Sequence, residues 1–230
     1  SIKLALTIVG VRTIKNFSLC CAIFSLAPNP KCGPFDLRGL WQDSLNRGLF
    51  ARTFGRLIGQ TDAEDPFSAA LLQDMAIPLL VSELPEEYAR LFQFRHEGRT
   101  RLSELEKERF GWTHAEAARI LATRWSLPEE FGELIECHTK IDELVGEDAT
   151  TGEVAVCLSS LLPSVKDTTW YECEQFIKTF CHLTGREQAD LAPLMAEIDE
   201  AFEEFAPLLK LGTPARTLVA SLDNVNPTTA

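Results

Sequence analysis

The chain has 230 residues and a mass of 25.6 kDa, and its 22 Lys and Arg against 34 Asp and Glu give a formal net charge of −12. Apolar residues make up 45% and charged residues 24%, which are ordinary values for a globular protein and exclude the collagen-like, disordered and coiled-coil classes. The negative charge repels phosphate backbones and anionic lipid surfaces, so the composition argues against direct binding of nucleic acid or of a membrane.

Two further features of the composition bear on location and partners. Residues 1–60 carry 8 basic and 2 acidic side chains, so this part suits an anionic ligand or an acidic partner. The seven cysteines are odd in number and contain no C-x-x-C pair, which predicts reduced thiols and a cytoplasmic location. The longest uncharged stretch near the N-terminus, residues 16–30, is shorter than the roughly 20 apolar residues of a membrane span, so no transmembrane helix is predicted.

Apolar residues recur at spacings of three and four along the whole chain, and no segment shows the alternation of a strand, which predicts an all-α fold. Helix starts are marked by Asp36 as an N-cap and by the pairs Thr113–Glu116 and Thr169–Glu172 as capping boxes. In chain order the pattern predicts helices over 2–26 (one or two), 37–58, 66–77, a short segment from 85, 102–110, 115–125, a segment from 128, 153–162, a helix that follows Thr169 and runs to Thr184, and 190–210. Residues 212–230, rich in Pro and Thr, are predicted to be a linker or a disordered tail.

One charged residue, Asp74, interrupts the very apolar stretch 67–81. Because an unpaired buried carboxylate is costly, Asp74 must reach solvent, pair with a basic side chain or bind a metal, and composition alone favours a hydrogen-bonded structural role. His114 and His138 lie at a predicted helix start and a predicted helix end, where polar or cationic residues are ordinary. Phosphate-loop, dinucleotide-binding, nucleophile-elbow and zincin motifs do not occur in the sequence.

Four segments occur in the order of the motifs of one known family. They are IVGVRTIKNFSL at 8–19, LWQDSL at 40–45, FSAALLQDMAIPLL at 67–80 and, most specific, ELEKERFGWTHAEAARILATRWSLPEEFGELIECH at 104–138. Together they resemble the HDOD family, bacterial signalling domains related to HD-type metal-dependent phosphohydrolases. The resemblance covers about residues 2–211 and implies an HD-domain-like helical bundle with C-terminal accessory helices over 1–211, whose N-terminal lobe is missing or truncated.

The resemblance also implies a pocket, since HD enzymes hold one or two metal ions with His and Asp side chains from several helices. The pocket positions fall on Asp43, Gln73, Asp74, His114 and His138. Asp74, His114 and His138 match the ligand pattern, whereas Asp43 and Gln73 replace His ligands and Ser159 replaces a later Asp. Because an amide is a poor metal ligand compared with imidazole, we expect a degenerate pocket whose side chains hydrogen-bond to one another or hold a small ligand, with no metal, cofactor or catalytic residue.

The function that the resemblance implies is that of a catalytically inactive regulatory module of bacterial signalling. It would act through protein contacts, in chains fused to or associated with response-regulator or cyclic-di-GMP-handling domains. The alternative is a divergent metal-dependent phosphohydrolase that acts on a nucleotide or phosphodiester through Asp43, Asp74, His114 and His138. A third possibility is a sensor that binds a small molecule in the pocket.

Overall fold

A computed structural model describes residues 11–60, 63–143 and 149–225. Within these ranges the chain forms α-helices and short 3₁₀ turns without a β-strand, which confirms the all-α prediction. The helices are α1 Val11–Leu26, α2 Leu37–Leu57, α3 Glu64–Leu72, α4 Ile77–Glu83, α5 Pro85–Phe94, α6 Leu102–Phe110, α7 His114–Arg124, α8 Glu129–Cys137, α9 Thr151–Ser159, α10 Cys173–Thr184, α11 Leu191–Phe205 and α12 Leu218–Val225. None of these described helices combines the length and hydrophobicity that a membrane span requires. The part of the first predicted helix at 2–10 lies outside the described residues.

Side-chain caps explain where several helices begin. Asp36 accepts a hydrogen bond from the first turn of α2, and Thr113 and Glu116 form the capping box of α7, so both predictions are confirmed. The predicted box of Thr169 and Glu172 is wrong, because α10 begins after Glu172 without a side-chain cap.

The predicted helix over 66–77 is interrupted in the structure. Helix α3 ends before Gln73, residues 73–76 form a turn, and α4 starts with Pro78 at its second position. Proline suits the first turn of a helix because its missing N–H would have no partner there. The break places Gln73 and Asp74 in the turn between two helices, both buried.

Two apolar clusters hold the helices together. The larger one is built around α2, which packs against α3, α9 and α11, and it includes the stacked rings of Phe50 and Phe54 with centroids 5.4 Å apart. The smaller cluster surrounds Tyr88 and joins α4, α5 and α6. Ile77 and Phe92, which belong to or pack on the smaller cluster, also line the pocket described below.

The C-terminal segment differs from its prediction. Leu218 and Leu222 of α12 are buried, and Asp199 of α11 accepts hydrogen bonds from the backbone N–H groups of Leu218 (2.9 Å) and Val219 (3.0 Å). A carboxylate at this place satisfies N–H groups that the first turn of a helix leaves unpaired. The prediction of a linker or disordered tail over 212–230 is therefore wrong for α12, and residues 226–230 lie outside the described part of the chain.

Candidate functional site

The structure places all five predicted pocket residues around one cavity of about 180 Å³. Helix α2 contributes Asp43, the turn after α3 contributes Gln73 and Asp74, His114 is the first residue of α7, and His138 follows α8. None of these five residues is more than 6% exposed. The pocket positions that the family resemblance implied therefore converge on the same buried space.

Three of the five side chains form a tight group, hereafter the Asp–His cluster, of Asp74, His114 and His138. The Nε2 atom of His114 lies 3.2 Å from Oδ1 of Asp74 and 3.1 Å from Nε2 of His138. The Nε2 atom of His138 lies 3.7 Å from the same Oδ1. Both imidazoles therefore present Nε2 to one carboxylate oxygen.

Glu106 and a backbone carbonyl fix the two imidazole rings of the Asp–His cluster. Glu106 is fully buried, and its Oε2 accepts the backbone N–H of His114 (2.7 Å) and lies 2.6 Å from Nδ1 of the same ring. Its other oxygen, Oε1, accepts the hydroxyl of Tyr88 at 2.7 Å. Nδ1 of His138 lies 2.6 Å from the carbonyl oxygen of Ile135. Since Nδ1 of each ring donates to an oxygen, Nε2 is the atom that each ring directs into the cluster.

Asp74 has a second, cationic partner in Arg47. The Nη1 atom of Arg47 donates a hydrogen bond to Oδ2 of Asp74, the oxygen that faces away from the imidazoles. Arg47 follows Asp43 by four residues on α2, which is about one helical turn and places both on the same side of the helix. Each oxygen of the Asp74 carboxylate therefore faces positive or hydrogen-bonding nitrogen.

The charges of the Asp–His cluster follow from these contacts. Burial disfavours ionisation of Asp74, but Arg47 and the imidazoles hold the pKa of its carboxyl well below the usual range. Burial also opposes a charge on His114, yet Glu106 and Asp74 raise its pKa to about 10. Burial, together with the charge on His114, lowers the pKa of His138 to about 3. Near neutral pH the cluster is therefore an aspartate, an imidazolium at His114 and a neutral imidazole at His138.

Asp43 and Gln73 line the same cavity but bond elsewhere. Asp43 accepts hydrogen bonds from the hydroxyl of Ser164 (2.6 Å) and the backbone N–H of Val165 (2.7 Å), in the segment after α9. Burial raises the pKa of Asp43 to about 6, against the effect of these donors. The Oε1 atom of Gln73 lies 3.4 Å from the hydroxyl of Ser159, and its buried Nε2 has no hydrogen-bond partner among the described residues.

Sequence reasoning did not place Arg47, Glu106 or Tyr88 in the site. The sequence matched Glu106 to one position of a family motif but gave it no role in the pocket. Glu106 lies eight residues before His114, and the corner between α6 and α7 brings the two residues together. The position of Arg47, one turn after Asp43, was a usable signal for a cation facing the pocket. Tyr88 gave no sequence signal, because its contact with Glu106 joins two separate helices.

The donor atoms of the Asp–His cluster fit a single divalent ion. Ligand atoms 2.0–2.1 Å from a tetrahedral ion lie about 3.3–3.4 Å apart, and the three separations of 3.1, 3.2 and 3.7 Å bracket that value. Glu106 and the carbonyl of Ile135 are the kinds of partner that orient metal-bound imidazoles. A second ion would need ligands from Asp43 and Gln73, whose carbonyl or carboxylate oxygens contact Ser and backbone groups instead.

The HDOD domain model matches residues 1–141 of the chain. The chain belongs to the HDOD domain family. No curated protein sequence matched this HDOD protein. Three solved structures share its fold. An HDOD domain protein from Geobacter sulfurreducens has a TM-score of 0.64 and 21% identity, and the match covers 89% of this chain and 74% of that chain. A protein proposed to be a phosphohydrolase from Shewanella amazonensis SB2B has a TM-score of 0.63 and 17% identity, with 94% of this chain and 77% of that chain covered. The MmoQ response regulator from Methylococcus capsulatus str. Bath has a TM-score of 0.54 and 25% identity, with 84% of this chain and 75% of that chain covered.

Proposed function

We propose that this HDOD protein is a regulatory module of bacterial signalling that does not hydrolyse phosphoesters and acts through contacts with other proteins. The observation that supports this function best is the pairing inside the Asp–His cluster. Asp74 bonds Arg47 through one oxygen and faces the imidazolium of His114 with the other. The carboxylate that a metal-dependent hydrolase would use as a ligand is thus already neutralised by the protein.

The two replaced positions support the same conclusion. Hydrolysis of a phosphoester by HD-type chemistry depends on metal that polarises the phosphoryl group and activates water. Gln73 offers an uncharged amide, and the carboxylate of Asp43 is held by Ser164 and Val165. Neither side chain contributes a ligand atom to the Asp–His cluster, which leaves three donors where relatives with full ligand sets have more.

The similarity to a response regulator in Methylococcus capsulatus supports a place in a signalling chain. The partners we propose are other proteins in the cytoplasm, including response-regulator or cyclic-di-GMP-handling domains that are fused to the module or associated with it. No direct contact with nucleic acid or membrane is part of this proposal, because the chain carries a charge of −12.

One observation favours a second candidate, a metal-dependent phosphohydrolase. The donor atoms of Asp74, His114 and His138 converge with separations suited to one divalent ion, and the Shewanella amazonensis protein shares the fold. In that case these three side chains would hold the ion, which would supply a Lewis acid for a phosphoester. Glu106 would keep the Nδ1 proton of His114 in place, so that Nε2 faces the ion.

The two candidates are separated by assays on the intact protein purified without chelator. We expect hydrolysis of a generic phosphodiester in Mn²⁺ or Zn²⁺ to equal that of an Asp74→Asn control. Stoichiometric metal together with turnover that the Asp74→Asn variant lacks would establish the hydrolase and refute the proposal. Binding to a response-regulator domain, measured by calorimetry, should be the same for the wild type and for Asp74→Asn, because the contact requires no chemistry in the pocket.

A further inference from the structure

We propose that Arg47 sets the metal affinity of the Asp–His cluster, by supplying to Asp74 the positive charge that a divalent ion would otherwise bring. This inference rests on the proposed function, since it gives a reason why the family's metal centre would be silent in this chain. Besides the two replaced positions, the affinity of the three remaining donors for an ion depends on the groups that surround them.

The pair of Arg47 and Asp74 is well shielded from water. The side chains are 14% and 5% exposed, respectively. Charged hydrogen bonds are strong in such surroundings, where the effective dielectric constant is far below that of water. An ion at Oδ1 of Asp74 would share one carboxylate with the guanidinium at Oδ2, and two like charges on a single buried carboxylate repel each other.

The other two arginines of the cavity bond to groups other than Asp74. Arg95 forms a two-pronged pair with Asp167, with separations of 2.8 and 2.5 Å. Arg101 donates to the hydroxyl of Ser160 at 2.7 Å and lies 3.4 Å from the carboxylate of Glu172. Arg47 is therefore the arginine of this cavity that contacts the cluster.

Substitution of Arg47 leaves the contacts that orient the two imidazole donors of the cluster in place, and Asp74 keeps His114 as a partner. The rings of His114 and His138 are fixed by Glu106 and by the carbonyl of Ile135, and Arg47 takes no part in those contacts. Arg47→Gln removes the charge while retaining a polar side chain, and Arg47→Lys retains the charge. The pair of variants separates the effect of charge from the effect of shape.

The test is a titration with Co²⁺ followed by visible absorption and by calorimetry, on the intact protein. We expect Arg47→Gln to bind one Co²⁺ about 10–100-fold more tightly than the wild type, the range by which groups around a metal site change affinity. Arg47→Lys should remain close to the wild type, and the double variant Arg47→Gln/Asp74→Asn should lose the gain. The absence of thiolate bands in the spectrum separates this binding from binding by any of the seven cysteines.

Equal Co²⁺ affinity in the wild type and in folded Arg47→Gln would overturn the proposal. Should Arg47→Gln fold only with Co²⁺ present, that result supports it, because the ion then replaces the missing charge. Arg47→Met, which keeps the apolar stem, serves as a second variant, and failure of both to fold with Co²⁺ would count against the proposal. Phosphodiester turnover by the wild type would refute the proposed function and leave the order of affinities standing, so the two failures are distinguishable.

Discussion

Asp43 gives the sharpest test of the electrostatics of this pocket. Its carboxyl is buried, and its pKa rises from 3.8 to about 6 in the folded protein. A carboxyl whose pKa is higher in the folded state binds its proton more tightly there. Its contribution to stability is therefore complete below about pH 3.8 and is lost as the pH rises through 6.

The magnitude follows from the two pKa values. Over the whole range the loss is about 3 kcal/mol, and between pH 5 and pH 8 it is about 1.4 kcal/mol. Asp43→Asn removes the titration while the side-chain oxygen still accepts the N–H of Val165. The free energy of unfolding of Asp43→Asn, measured relative to the wild type by urea at each pH, should therefore rise by about 1.4 kcal/mol from pH 5 to pH 8.

Comparison of the two proteins at each pH cancels the titration of groups that they share. Asp36→Asn is a control: burial works against ionisation of Asp36, but Lys166 lowers its pKa, so Asp36 is ionised in both states and its difference from the wild type should not change between pH 5 and pH 8. If the wild type and Asp43→Asn respond identically to pH between 5 and 8, Asp43 is ionised throughout and the burial argument is refuted.

Three further predictions address the cluster and the C-terminal helix, all measured as free energies of unfolding in urea. Asp74→Ala should cost about 3 kcal/mol, because it leaves the largely shielded guanidinium of Arg47 without its partner, and a neutral result would contradict the pairing. Tyr88→Phe should cost about 1 kcal/mol, because it removes the hydroxyl that donates a hydrogen bond to Glu106. An unchanged stability would mean that water takes the place of this hydroxyl. Leu222→Ala should cost about 2–4 kcal/mol if α12 belongs to the fold, whereas a change near zero would return this segment to the predicted tail.

Local signals were sufficient to predict much of the helical pattern. Helix α6 coincides with its prediction, and the capping box before His114 places that residue at the start of α7. The break after α3 was missed because Pro78 fits either a helix end or, as here, a first turn. Helix α12 was missed because its support comes from Asp199, a carboxylate on another helix.

The residues of the candidate site also fall into those that the sequence predicts and those that depend on contacts between distant segments. Family motifs led to Asp74, His114 and His138; local chemistry also marks the helix start at His114 and the helix end at His138, but not the turn that carries Asp74. The spacing of Arg47 from Asp43 indicates a cation that faces the pocket, but local rules do not show which of 22 cations pairs with Asp74, 27 residues away in sequence. The contacts of Asp43 with the segment after α9 span more than 120 residues and depend on the complete packing of the bundle.

The buried charges of the site explain how one set of side chains suits either a proton or an ion. The guanidinium of Arg47 and the imidazolium of His114 both neutralise the carboxylate of Asp74 as the structure has it. A divalent ion requires the lone pair of Nε2 and therefore displaces the proton of His114. The ion then shares the carboxylate of Asp74 with the guanidinium, whereas with an uncharged residue at position 47 it has that carboxylate to itself. The repulsion between the ion and the guanidinium, in surroundings of low dielectric constant, is the energy that Arg47 withholds from metal binding.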